Sequence, residues 1–275
     1  MRRLLVMSAC LAVGFVCATF AGAFAGSDSR ERSSASALRG LVDLSHPLNE
    51  ETIYWPTAKR WTLTPVAEGE TEGGWYYASN DFEASEHGGT HLDAPVHFSR
   101  NGWKADEIPL RRLVGDAVVI NVSQRALKNR DYLITPSDFA GWERSHGRIQ
   151  RGSIVLLRTG FERYWPDAEK YLGTAERGAA AVPKLHFPGL SEAGAQWLVR
   201  KRKVKAVGID TASIDYGQST DFLAHRVLGG ANVPVFENVD RLSGLPSRGF
   251  SVVALPMKIQ GGSGGPVRIM AVMRP

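Results

Sequence analysis

The sequence predicts an α/β domain built on a mixed sheet, and three observations carry that reading. Short β-branched runs at 117–122, 154–158, 204–209, 250–255 and 267–272 have the length and composition of buried strands. Helix-like segments separate strands only in the middle of the chain, which argues against a regular doubly wound sheet. Loops rich in Gly and Pro fill much of the remainder, with 29 Gly and 14 Pro among 275 residues. A hydrophobic content of 43% supplies a sizeable core and rules out a disordered tail or a small disulfide scaffold.

The elements follow in chain order. Met1-Arg2-Arg3 gives a positive start, residues 4–24 are apolar or small apart from Ser8 and Thr19, and Ala23-Phe24-Ala25 has the small-x-small pattern of a cleavage site. Residues 1–25 therefore read as a secretory signal, and not as a stable membrane anchor. Export to a periplasm or to the outside is the expectation. Both cysteines, Cys10 and Cys17, lie in this leader, so the remaining chain has no disulfide, no thiolate ligand and no cysteine nucleophile. Loss of Arg2 and Arg3 takes the formal charge from +5 to +3. Residues 26–40, rich in Ser and charge, read as a flexible lead-in to a single domain over 41–275.

Within that domain ordered structure is expected to start at Leu41-Val42-Asp43-Leu44. A loop-rich, aromatic stretch follows from Pro47 to Tyr77. Helices are expected at 137–146, capped by Ser137, and at 191–203, capped by Ser191 with Glu192 in the first turn. The run Arg200-Lys201-Arg202-Lys203-Val204-Lys205 reads as a solvated helix end, where cations suit the dipole, and no nucleic-acid surface is expected. Gly261-Gly262-Ser263-Gly264-Gly265-Pro266 runs into a strand, so it lacks the helix N-terminus that a phosphate cradle needs.

One segment carries the chemistry. In Ser85-Glu86-His87-Gly88-Gly89-Thr90-His91-Leu92-Asp93-Ala94-Pro95-Val96-His97-Phe98, the eleven positions 87–97 hold three of the seven histidines of the chain and the carboxylate Asp93. Imidazole nitrogen and carboxylate oxygen are ligands for zinc, manganese and similar divalent ions. Gly88-Gly89 and Pro95 oppose a helix. A short extended piece over 90–93 instead projects His91 and Asp93 to one face, and the glycines let His87 fold back toward the same ion. Downstream, Asp210-Thr211-Ala212-Ser213-Ile214-Asp215 follows a buried-looking strand, where α/β proteins carry function. His225 and Glu237 follow as further candidates by residue type, and Asp210 and Asp215 read as turn and cap residues.

These residues resemble a known family. His87-x3-His91-x-Asp93-x3-His97, the opening Val42-Asp43-Leu44-Ser45-His46-Pro47, the Asp-Thr-x-Ser-x-Asp stretch and the pair His225 and Glu237 are similar to the metal-dependent cyclase superfamily, which includes bacterial kynurenine formamidase and isatin hydrolase. The resemblance implies a swivelling β/β/α architecture and a homo-oligomer, a dimer or tetramer. It implies that His87, His91 and Asp93 hold a first ion, and that Asp93, His225 and Glu237 hold a second. One or two ions, Mn2+ or Zn2+, are expected. His97 would be the catalytic proton donor and acceptor.

The chemistry then expected is hydrolysis of an amide. A bound divalent ion acidifies its water, the hydroxide attacks the amide carbon, and His97 moves the proton to the leaving nitrogen. The leader and the text around the motif look closer to isatin hydrolase, so the expected substrate is a small aromatic cyclic amide. An aryl formamidase acting on N-formylkynurenine is the alternative, and a secreted metal-binding protein without turnover is a further one. Trp55, Trp75, Tyr76 or Tyr77 could stack on such a ring. No Gly-x-Ser-x-Gly elbow for a serine hydrolase is present.

Overall fold

Four central strands alternate in side-chain direction yet bury both faces, and this organises the architecture. In the computed structural model, which describes residues 40–274, β5 (Val114–Asn121) pairs in parallel with β7 (Ile154–Arg158). In turn β7 pairs with β9 (Ala206–Ile209), and β9 with β10 (Val235–Glu237), again in parallel. Ala117, Val119, Ile154, Leu156, Ala206 and Phe236 point into one core, while Val118, Ile120, Val155, Leu157, Val207 and Ile209 point into another. Such double burial is why these runs read as continuous apolar stretches.

Antiparallel strands complete the sheet, and the short parallel pair β6 (Leu133–Ile134) and β8 (Gly189–Leu190) forms a separate one. The strands β11 (Phe250–Pro256) and β12 (Gly264–Met273) form a hairpin along β5, and β1 (Leu41–Asp43) lies on β12. The short strand β4 (His91–Asp93) pairs with β10 on one side and with Gly264–Pro266 of β12 on the other. That double pairing closes the sheet into a barrel-like ring, with β1 beside β4 along the same edge of β12. The mixed α/β class expected from the sequence is therefore the observed one. The first core fills the ring, and the second lies under the helices Pro136–His146, Glu192–Trp197 and Leu223–Gly230.

Several boundaries differ from the sequence expectation. The helix expected from Ser137 starts at Pro136, with Thr135 as its cap; Asp138 accepts the Thr135 amide, closing a capping box. Ser191 does cap its helix, accepting from the Gly194 amide, but α-helical geometry ends at Trp197 and a π-turn runs over Leu198–Arg202. The stretch read as loop contains β2 (Thr62–Glu70), which pairs with β3 (Tyr76–Glu83) in a two-stranded hairpin. Its Leu63, Val66, Trp75, Tyr76, Tyr77 and Phe82 are all more than half exposed. The residues read as leader and most of the lead-in, 1–39, lie outside the described residues. Among the described residues no helix is long and apolar enough to cross a membrane.

Candidate metal centre

The site is built where β4 meets β10 at the end of the parallel strands. Register sets Glu237 opposite His91 and Val235 opposite Asp93. Leu92 and Phe236 turn into the barrel core, so His91, Asp93 and Glu237 share the other face. The remaining two donors arrive from the loop before β4 and from a helix. Gly89 takes a left-handed φ of 57°, and a Cβ at Gly88 would sit 2.0 Å from the Tyr54 ring. Glycine at both positions lets the chain fold back and present His87, whose Nδ1 is 2.6 Å from Asp93 Oδ1. His225 comes from the first turn of the helix Leu223–Gly230, with Nε2 2.9 Å from Asp93 Oδ2 and 3.2 Å from Glu237 Oε1.

All five residues singled out as ligand candidates thus converge, and Asp93 is their hub. The division into two sets of three implied by the resemblance is less sharp in the geometry. His91 Nε2 faces both carboxylates, at 3.2 Å from Asp93 Oδ1 and 3.5 Å from Glu237 Oε2. Among the described residues, the sets of three whose ligand atoms all lie within 4.8 Å of one another are His91–Asp93–Glu237 and His87–Asp93–His97. His97 closes the 3-10 turn Pro95–His97, and its ring stacks on His87 at 3.9 Å. One side of it is open to solvent.

A second layer of hydrogen bonds orients the imidazoles. His91 Nδ1 donates to the Gly89 carbonyl at 2.9 Å, and His225 Nδ1 donates to Asp215 Oδ2 at 2.7 Å. Asp215 also accepts the amides of Ala224 and His225, so the residue read as a cap both opens the helix and fixes the ring. The Ile214 amide donates to Glu237 Oε1 at 2.7 Å. Asp210 does hold a turn, accepting from Thr159 and Gly160. The roles of Asp215, and of Glu86 and Ser263 around His87, were not legible as site functions in the sequence.

The electrostatics are those of a centre that demands positive charge. Burial alone would raise the Asp93 carboxyl, but charge on His87 and hydrogen bonds from His225, His87 and His91 hold it well below the usual range. Burial and the neighbouring Asp93 raise Glu237. Burial opposes charge on His91, yet Asp93 and Glu237 lift its pKa to about 9. His225 is likewise lifted against burial, by Asp215, Asp93 and Glu237. His97 moves the other way, to about 4, through desolvation and repulsion from the other imidazoles, which outweigh Asp93.

A cavity of about 320 Å³ opens over these groups. Its floor carries the donors, and its walls are Ile53, Tyr54, Trp55, Phe98, Ala212 and Phe222. Of the aromatic candidates only Trp55 lines it; Trp75, Tyr76 and Tyr77 stand on the exposed hairpin. The basic run does close a helical segment, with Arg200, Lys201 and Arg202 in the last turn of Leu198–Arg202. Lys203 and Lys205 join Arg111, Arg112 and Arg151 around a separate cleft of about 460 Å³ beside the start of the parallel strands.

Comparison with known proteins agrees with this geometry. The chain is 32% identical to a kynurenine formamidase of Salinibacter ruber over 240 residues, 85% of this chain and 97% of the relative. It is 29% identical to an isatin hydrolase of Roseibium aggregatum over 216 residues, 76% of this chain and 79% of the relative. The solved structure of isatin hydrolase A from Ralstonia solanacearum superposes with a TM-score of 0.78 at 31% identity, covering 92% of this chain and all of that one. The family model described as "Putative cyclase" matches residues 42–216, a span that takes in the whole histidine segment and the Asp210–Asp215 stretch. The chain belongs to the Cyclase family.

Proposed function

We propose that this chain is a metal-dependent hydrolase of amide C–N bonds, and that its substrate is a small aromatic cyclic amide of the isatin type. The observation that carries this is the donor set. His91 and His225 already donate through Nδ1, so their Nε2 lone pairs point at two buried carboxylates. Lone pair against lone pair is stable only with a proton or a cation between them. Three imidazoles and two carboxylates without thiolate suit zinc or manganese. The residues present therefore fit a divalent metal, held by His87, His91, Asp93, His225 and Glu237 as one or two ions.

Such a cation would acidify a water toward a pKa of about 7 and polarise an amide carbonyl. The chain's own residues do the rest. Ile53, Trp55, Phe98 and Phe222 give a planar aromatic ring an apolar wall beside the donors, and they thin the water around the reacting carbonyl. His97 stands at the mouth of the site on the ring of His87. Its low pKa keeps a ring nitrogen free to accept a proton at neutral pH and pass it to the departing amide nitrogen. An alignment at 32% identity that covers 97% of a kynurenine formamidase supports a second reading, an open aryl formamide such as N-formylkynurenine.

Two further parts belong to this proposal. The leader pattern over 1–25 supports export, and the exposed apolar hairpin supports self-association as a homodimer. The test of the activity is a side-by-side assay on isatin and N-formylkynurenine, with manganese-loaded, zinc-loaded and chelated protein. Metal-dependent opening of isatin alone is the expected result. Turnover of the formamide alone would promote the second reading, and chelator-insensitive turnover would sink the metal mechanism.

A further inference from the structure

The glycine-rich segment 261–266 contributes no donor to the centre, yet Ser263 at its middle reaches His87. Its Oγ is 2.5 Å from Glu86 Oε2 and 2.8 Å from His87 Nε2, and its amide is 3.0 Å from the same Glu86 oxygen. Proton positions follow from what each group can do. A carboxylate only accepts, so the Ser263 amide and hydroxyl both donate to Glu86. The hydroxyl has one proton, so toward His87 its oxygen can only accept. His87 therefore carries its ring hydrogen on Nε2. Its Nδ1 lone pair then meets Asp93 Oδ1 at 2.6 Å, a contact that needs a cation or a proton between the two.

His91 and His225 have the opposite arrangement, hydrogen on Nδ1 and lone pair on Nε2. The glycines on either side explain why Ser263 can come so close. A Cβ at Gly264 would lie 2.6 Å from His87 Cε1, and one at Gly262 would lie 2.7 Å from Glu86 Oε1. Any side chain at either position would push apart the groups that Ser263 joins. The segment is thus shaped around a hydroxyl and a carboxylate, and no phosphate is needed to account for its glycines.

We infer that Glu86 and Ser263 are positioning residues that lock the His87 tautomer, so that His87 offers Nδ1 to the metal while His91 and His225 offer Nε2. The inference rests on the metal reading above. Without the hydroxyl, Nε2 faces Glu86 Oε2 only at 4.0 Å, and nothing selects one tautomer or one ring orientation.

The experiment reads tautomers directly and needs no variant to begin. Zinc-loaded, 15N-histidine-labelled protein is analysed by long-range 1H–15N correlation, with zinc affinity measured by competition against a chelator. His87 is expected to be protonated on Nε2, and His91 and His225 on Nδ1. Ser263→Ala should weaken zinc binding by about 10–100-fold, the usual effect of losing an outer partner of a ligand, and should give His87 signals of mixed tautomer. Ser263→Thr, which keeps the hydroxyl, should restore both. A wild-type chain that takes up no zinc overturns the metal reading and this inference with it. A chain that binds zinc with the His87 hydrogen on Nδ1, or a Ser263→Ala variant with wild-type affinity and tautomer, overturns the inference alone.

Discussion

Asp215 offers a sharp quantitative test, because it acts on the centre only through His225. Its Oδ2 accepts His225 Nδ1 at 2.7 Å and the His225 amide at 3.0 Å, and its Oδ1 accepts the Ala224 amide at 2.9 Å. Asp215→Asn conserves shape but turns one acceptor oxygen into a donor, so the amide group must confront at least one of these N–H groups. His225 then loses either its tautomer or its ring orientation, and Nε2 no longer points reliably between Asp93 and Glu237. Losing such a partner typically weakens metal binding about 10–100-fold. At a metal concentration about 1,000 times the wild-type Kd, the ion adds about 4.1 kcal/mol to stability. A 10-fold weaker site leaves about 2.7 kcal/mol and a 100-fold weaker one about 1.4 kcal/mol. For a domain of this size each kcal/mol is worth about 2–4 °C, so the metal-dependent rise in Tm should shrink by roughly 3–11 °C. Thermal unfolding with and without chelator, for both proteins at one metal concentration, measures this. An unchanged metal-dependent rise would refute the claim that Asp215 orients a ligand.

Other expectations follow from the same geometry. His97→Ala should retain metal and lose about 100-fold or more in kcat, the range for a removed acid–base group; loss of metal instead would make His97 a ligand, a role its closeness to His87 and Asp93 permits. His91 is raised from 6.5 to about 9 when only protons supply positive charge. Its protonated form thus adds stability to the metal-free protein that is full below about pH 6.5 and fades as pH rises through about 9. Metal-free Tm should accordingly fall over that window while the gap to metal-loaded protein widens, and a gap that narrows would contradict the assignment. Gly88→Ala must displace the Tyr54 ring, which its Cβ would approach to 2.0 Å, so unfolding by denaturant should register about 1–3 kcal/mol of destabilisation and KM should rise. Replacing Trp75 and Tyr77 together by Ser should convert a dimer to monomer in light scattering, and a wild-type chain that is monomeric at high concentration would remove self-association.

Legibility in the sequence tracked burial. The run 154–158 is a strand with the expected limits because both its faces are buried, and that produces an unbroken β-branched stretch. The hairpin β2–β3 was invisible for the converse reason. It buries almost nothing, carries Pro65 and Gly69 within a strand, and has a register shift between Pro65 and Ala67, so no clean alternation is written into it. The helix Leu223–Gly230 is equally silent in the sequence. Its first turn is held by Asp215, eight residues before it starts, so no local capping residue announces it.

At the centre itself the division is between ligand candidates and what aims them. His87, His91 and Asp93 could be read together because one short segment supplies them, and the two-residue spacing of His91 and Asp93 needs only an extended backbone to share a face. Nothing local makes that backbone extended, since His-Leu-Asp is a poor strand sequence. Pairing with β10 and with the glycines of β12 imposes it, and both partners lie far along the chain. The aiming groups are equally remote: Glu86 meets Ser263 across 177 positions, and Asp93 meets His225 across 132. A sequence can advertise a dense set of donors, because density is a local property. Which nitrogen of each imidazole is free is decided by hydrogen bonds that exist only once the ring of strands has closed. The tautomers of His87, His91 and His225 are therefore properties of the fold, and chemistry at this site depends on closure of the barrel as much as on the histidines themselves.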